Sequence, residues 1–224
     1  MSNNRAIPLV DLNQFVHGDE VSRNQFVKDL GYAFEHIGFV GVVNHGISKE
    51  LVSGFYAGAK AFFSQALEVK TKYEVPGLAG QRGYTSFGKE HAKQSRVADL
   101  KEFYQIGQKV LDGDPIKSEY PDNVYVEETP EFTVLGDQLY KSFENSGAHL
   151  LRAISIHLQL GENYFVDKIH NGNSILRAIH YPPIIQEPDS AIRSEQHEDI
   201  NLITLLVGAS AGGLQVLTMD NQWL

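Results

Sequence analysis

The apolar positions of this chain change their spacing several times, and each change predicts a new element. Residues 7–12 read as a short extended opening segment. Phe26, Leu30, Phe34 and Ile37 then recur at helical spacing, which predicts a helix over 20–37 with one apolar stripe, ended by Gly38. Residues 39–44 form a compact apolar run suited to a buried strand, and His45-Gly46 makes a turn. Ser48 is a good N-cap for a second helix over 49–70, with Leu51, Phe55, Ala59, Phe62, Phe63, Ala66 and Val69 on its buried face. Residues 76–99, with Gly77, Gly80, Gly83 and Gly88, read as a long loop of the kind that often carries function. Residues 100–106 alternate like a half-buried strand, and 112–130, with three prolines, are irregular. Phe132, Leu135, Leu139, Phe143, Leu150, Leu151, Ile154 and Leu158 predict a long helix over 131–160, and 162–170 a short one before Asn171-Gly172-Asn173. From Ser174 onward the texture is that of short strands, at 174–181, 193–199, 202–207 and 214–217.

Composition narrows the chemistry. The 224 residues carry a net charge of -9 with Lys and Arg scattered, which argues against nucleic acid or an anionic membrane as the main partner. There is no cysteine, so thiolate metal sites, disulfides and cysteine nucleophiles are excluded, and a metal site must draw on His, Asp, Glu or Tyr. The start of the chain is polar, and no run is long and apolar enough for a transmembrane helix. The expectation is a cytoplasmic protein acting on a small molecule, its oligomeric state open.

The sharpest local signal is His197-Glu198-Asp199. In a strand, residues two apart share a face, so His197 and Asp199 could offer an imidazole and a carboxylate to one ion. That is two-thirds of the 2-His-1-carboxylate site of non-haem Fe(II) oxygenases. The three letters alone prove little, because chance gives about one His-x-acid in a chain of this composition. A second instance, His17-Gly18-Asp19, is assigned to a polar turn or helix N-cap. His197 differs in context: it leads into the apolar run 202–207, followed by a glycine turn at 212–213.

With these surroundings, His197–Leu206 followed by Gly213-Leu214-Gln215-Val216 resembles the metal-binding core of the isopenicillin N synthase-like family, Fe(II)- and mostly 2-oxoglutarate-dependent oxygenases. Ile7-Pro8-Leu9-Val10-Asp11-Leu12, the 38–47 segment with Asn44-His45-Gly46, Gly83-Tyr84, Asp99-Leu100-Lys101-Glu102 and Arg177-Ala178-Ile179-His180-Tyr181-Pro182 are similar to further family segments in the same order. The resemblance implies an α+β protein. Its parts would be a helical N-terminal region over 6–125, connecting helices over 126–170, and an incomplete double-stranded β-helix, or jelly roll, over 171–224. It implies His197 and Asp199 as ligands of Fe(II), and Tyr181 as donor to 2-oxoglutarate, with O2 as the other cosubstrate. It also implies that Arg82, Tyr84 and Thr85 line a substrate pocket. Plant members usually carry Asn two residues before the tyrosine; here the position is Ile179. His45 is assigned a turn role, and His180, on the opposite strand face from Tyr181, a packing or surface role.

The family's second histidine ligand and its 2-oxoglutarate-clamping arginine lie well beyond the aspartate. The 25 residues after Asp199 contain no His, Arg or Lys. The sequence is therefore expected to be C-terminally truncated relative to its gene, and inactive in this form. Two alternatives stand beside the 2-oxoglutarate-dependent enzyme. One is an oxidase of the isopenicillin N synthase type that needs no 2-oxoglutarate. The other is a non-catalytic fragment or binding module.

Overall fold

A computed structural model describes residues 6–90, 98–185, 192–207, 211–218 and 221–224. The mixed α/β chain divides into two compact units, 1–47 with 142–170 and 205–224, and 48–141 with 171–204.

In the first unit, β1 (Leu9–Asp11) pairs in parallel with β2 (Gly41–Val43). Between them lie α1 (Leu12–Val16) and α2 (Glu20–His36). Asp19 caps α2, accepting from the Ser22 amide at 2.8 Å, so His17-Gly18-Asp19 is a helix start as expected. The stripe of α2 is rotated from the predicted one. Phe26, Val27, Leu30, Gly31 and Ala33 are buried, whereas Phe34 is exposed. The reason is a close approach at Gly31, where a Cβ would stand 2.1 Å from the His157 ring. His157 in turn bonds Glu35 at 2.9 Å, and Arg23 and Arg152 share Glu162.

The second unit is built on α3 (Lys49–Phe63), α4 (Leu67–Lys70) and the antiparallel sheet β3 (Gly83–Thr85), β4 (Glu102–Gly107), β5 (Ile175–His180), in the order β3-β4-β5. Ser48 caps α3, accepting from Leu51 N at 3.2 Å. The single helix predicted over 49–70 is broken at residues 64–66, where the Ser64 hydroxyl donates back to the Lys60 carbonyl and competes with helix continuation. Phe62 is the centre of the core, with the rings of Phe63, Tyr73, Tyr84, Tyr104 and Phe132 at 5.2–6.0 Å. At Gly58 a Cβ would meet the Phe132 backbone at 2.9 Å, so only glycine lets α3 approach the long helix α5 (Pro130–His157) there.

Two expectations are corrected. β4 is buried along all six residues rather than half-buried, because its inner face packs on Phe62 and Phe132 and its outer face is covered by Arg177. Of the four C-terminal strands, only Ile175–His180 forms. The described residues within 192–207 contain no strand, and Leu217 and Trp223 make an isolated bridge. A strand needs a ladder partner to satisfy its backbone, and Ile200 in this run is fully exposed. The short helix of the 162–170 region is α6 (Val166–Ile169), and residues 91–97 of the 76–99 loop lie outside the described residues.

Candidate metal and cosubstrate site

His197 and Asp199 come together even without a strand beneath them. His197 Nε2 lies 3.7 Å from Asp199 Oδ1, both side chains about half exposed. His197 Nδ1 is 2.7 Å from the Glu195 carbonyl. A carbonyl only accepts, so Nδ1 carries the proton and Nε2 presents its lone pair, the tautomer a metal ligand requires. The aspartate is oriented in the same way: the Thr204 hydroxyl donates to Oδ2, which leaves Oδ1 toward the histidine, and Asn201 Nδ2 donates to Thr204 Oγ1 at 3.1 Å. Donors about 2.1 Å from a first-row divalent ion stand about 3.0–3.6 Å apart for angles of about 90–120°. At 3.7 Å the pair stands just beyond the open end of that range. One neutral imidazole and one carboxylate are the donor types Fe(II) takes in facial sites, so the residues fit the ion. Among the described residues no third His, Asp or Glu joins them. Sequence reasoning missed Thr204 and Asn201; a hydroxyl a few residues past the acid in an otherwise apolar run was their only signal.

Tyr181 follows β5 directly and is 36% exposed, with no hydrogen bond from its hydroxyl to any described residue. The three residues expected to line a substrate pocket divide. Tyr84 is 2% exposed and donates its hydroxyl to Glu102. Arg82 is fully buried, its Nη1 donating to Gln81 O and its guanidinium lying against Gly107, where a Cβ would come within 1.8 Å of Cζ. Both side chains are buried in this unit, and Arg82 Nε and Nη2 have no hydrogen-bond partner among the described residues. Thr85 is half-buried, on the strand face it shares with Phe103. His45 has the turn role: its Nδ1 accepts from Ile47 N at 3.1 Å and its carbonyl accepts from Ser146 at 2.6 Å.

A buried charge cluster lies beneath β5. Glu102, 4% exposed at its side chain, accepts from Lys70 Nζ at 2.8 Å, from Tyr84 and from His180 Nδ1 at 2.8 Å. Burial alone would push this carboxyl up, but the bonds from Lys70, Tyr84 and His180 outweigh it and hold it below the usual carboxylate range. Burial, with the carboxylate beside it, pushes the Tyr84 hydroxyl well up, so it stays a donor. His180 packs as expected, its ring stacked on Phe63, and in addition it bonds Glu102.

Residues 7–128 match the family described as non-haem dioxygenase in morphine synthesis, N-terminal. Among curated proteins, the chain is 32% identical to a 2-oxoglutarate-dependent dioxygenase, htyE, of Aspergillus rugulosus, over 96% of this chain and 68% of that protein. Among solved structures, a putative 2OG-Fe(II) oxygenase family protein from Caulobacter crescentus superposes with a TM-score of 0.84 at 37% identity, over 98% of this chain and 69% of that one. A full-length Neurospora crassa protein, in complex with alpha-KG and thymine, superposes with a TM-score of 0.82 at 26% identity, covering 100% of this chain and 71% of that one. The chain belongs to the 2-oxoglutarate-Fe(II) oxygenase family, whose members are enzymes using Fe(II), 2-oxoglutarate and O2. It spans about two-thirds of the length of the relatives it matches, 63% and 68% for two of the curated ones. No helix among the described residues is long and apolar enough to cross a membrane.

Proposed function

We propose that these residues serve a non-haem Fe(II) oxygenase that couples 2-oxoglutarate decarboxylation to oxidation, by default hydroxylation, of a small-molecule substrate. His197 and Asp199 are two of its three iron ligands, and Tyr181 donates its hydroxyl to a 2-oxoglutarate carboxylate. The observation that carries this reading is the oriented pair, with Nε2 and Oδ1 3.7 Å apart and the other atom of each group already bonded. Bound Fe(II) supplies the centre at which 2-oxoglutarate and O2 are activated. The chain's own part is to fix the imidazole tautomer through Glu195, to turn Asp199 through Thr204, and to offer the Tyr181 hydroxyl as a donor.

A third donor and a cationic clamp for the distal carboxylate belong to the complete site, and residues 200–224 offer no His, Arg or Lys for either. The same reading makes 171–224 part of a double-stranded β-helix whose further strands would pair with the 192–207 run, in a cytoplasmic enzyme. The test is the purified 224-residue chain with Fe(II), ascorbate and 2-oxoglutarate. It is expected to release no succinate, whereas a chain extended through the remaining third found in its relatives is expected to release it only with Fe(II) present. Oxidation by the extended chain without 2-oxoglutarate would favour the isopenicillin N synthase type of oxidase instead.

A further inference from the structure

Three segments that resemble family motifs but have no part in binding iron meet at one carboxylate. Gly83-Tyr84 supplies Tyr84, the 99–102 segment supplies Glu102, and the strand just before Tyr181 supplies His180. Lys70, from α4, closes the set. Its ammonium donates both to Glu102 and, at 3.2 Å, to the carbonyl of Phe63. The Phe63 ring stacks on His180, centroids 5.1 Å apart and planes at 20°. The imidazole is thus fixed at its edge by a carboxylate and on its face by a ring. A carboxylate held by three donors cannot turn to follow a moving histidine, so it acts as a rigid post.

The opposite face of β5 is held as well. Arg177 Nη1 bonds both oxygens of Glu90, at 2.9 and 3.2 Å, Nε bonds Gln105 at 3.3 Å, and the guanidinium lies 4.3 Å from the Phe103 ring centroid. Tyr181 follows His180 by one peptide bond and precedes Pro182-Pro183. A proline restricts the residue before it to extended backbone. Tyr181 is therefore pinned on its N-terminal side by His180 and conformationally restricted on its C-terminal side by Pro182.

We propose that His180 is the positioning residue for Tyr181: the Glu102–Lys70–Tyr84 post, acting through His180, sets where the Tyr181 hydroxyl stands. This rests on the reading of Tyr181 as a cosubstrate contact for its purpose, but not for its geometry. The post accounts for why a buried carboxylate and ammonium stand beneath this strand, where an apolar pair would pack as well.

The test is fluorine NMR of the 224-residue chain labelled with 3-fluorotyrosine, the Tyr181 signal being assigned by its loss in Tyr181→Phe. Asn places an amide N–H where Nδ1 of histidine stands, whereas Gln places it one bond further out. His180→Asn is expected to leave the Tyr181 resonance where it is in the unaltered chain. His180→Ala and His180→Gln are expected to shift or broaden it more than the other tyrosine signals, Tyr84 excepted. If the Ala variant does not fold, the Asn and Gln variants carry the contrast. A Tyr181 signal that is unmoved by Gln, or displaced as far by Asn as by Gln, overturns the proposal. Adding Zn(II) with saturating 2-oxoglutarate to the chain extended as described above separates the two readings. A Tyr181 signal that ignores them contradicts the cosubstrate contact and leaves the positioning role standing.

Discussion

The strand that ends at His180 and the segment that carries His197 and Asp199 lie only about a dozen residues apart, yet they are built in opposite ways. β5 has a complete ladder with β4, from Glu102↔His180 to Gly107↔Ile175, and charged side chains tie it down on both faces. Residues 192–207 have no strand among them, and Ile200, Leu202 and Leu206 are exposed. The proposed ligand pair holds its local geometry through short-range bonds, Glu195 to His197 and Thr204 to Asp199. The difference separates two requirements of such a site. Tautomer and carboxylate orientation are settled within residues 195–204, whereas rigidity has to come from neighbours in a sheet.

That contrast can be broken most forcefully at the post. Lys70→Met leaves Glu102 buried without its cation and is expected to cost about 3–5 kcal/mol, read as a lowered urea midpoint. A loss no larger than that of an exposed-lysine substitution such as Lys109→Met would show that the post holds nothing. Gly107→Ala comes next, because its Cβ would overlap the Arg82 guanidinium; a destabilisation of about 1–3 kcal/mol is expected by the same measurement.

Acid sharpens the comparison. The folded-state pKa of Glu102 lies below its unfolded value, so on acidification the unfolded chain takes up the proton first. The stability this group contributes is complete above the ordinary carboxylate range, about 4.3 for Glu. It is lost as pH falls from there through the lowered folded value. Glu102→Gln removes that contribution, so stability of the Gln variant is expected to fall less steeply with acid than that of the unaltered chain. Equal slopes in chemical denaturation across that window would contradict the assignment. The smallest stability effect is expected at the metal segment. Thr204→Val should change the urea midpoint by no more than about 0.5 kcal/mol, since the group is exposed. It should nevertheless weaken metal binding by freeing the Asp199 carboxylate to rotate.

The residue pattern made local elements legible because their causes are local. The Ser48 and Asp19 caps, the helix over Pro130–His157 and the strand over Ile175–His180 each follow from spacing and capping within one segment. The errors came where distant residues decide. The face α2 buries is set by a close approach of His157 at Gly31, more than a hundred residues away in sequence. Glu102 looked like one polar position of an alternating strand, and only the arrival of Lys70, Tyr84 and His180 makes it a buried post. Tyr84 and Arg82 are buried through the β3–β4 pairing and against Gly107, contacts that a glycine-rich stretch does not announce. The proposed ligand pair stands out in the sequence as two residues, whereas the bonds of Thr204 and Asn201 to it do not, because a hydroxyl in an apolar run carries no mark of what it will bond.

The central claim is that His197 and Asp199 form a metal-ligand pair, and calorimetric titration of the 224-residue chain with Mn(II) tests it most directly. Weak binding is expected for the unaltered chain, abolished by His197→Ala and by Asp199→Ala, and unchanged by His17→Ala, whose His-x-Asp lies at a capped helix start. Binding that survives both His197→Ala and Asp199→Ala, or that is lost in His17→Ala, would contradict it.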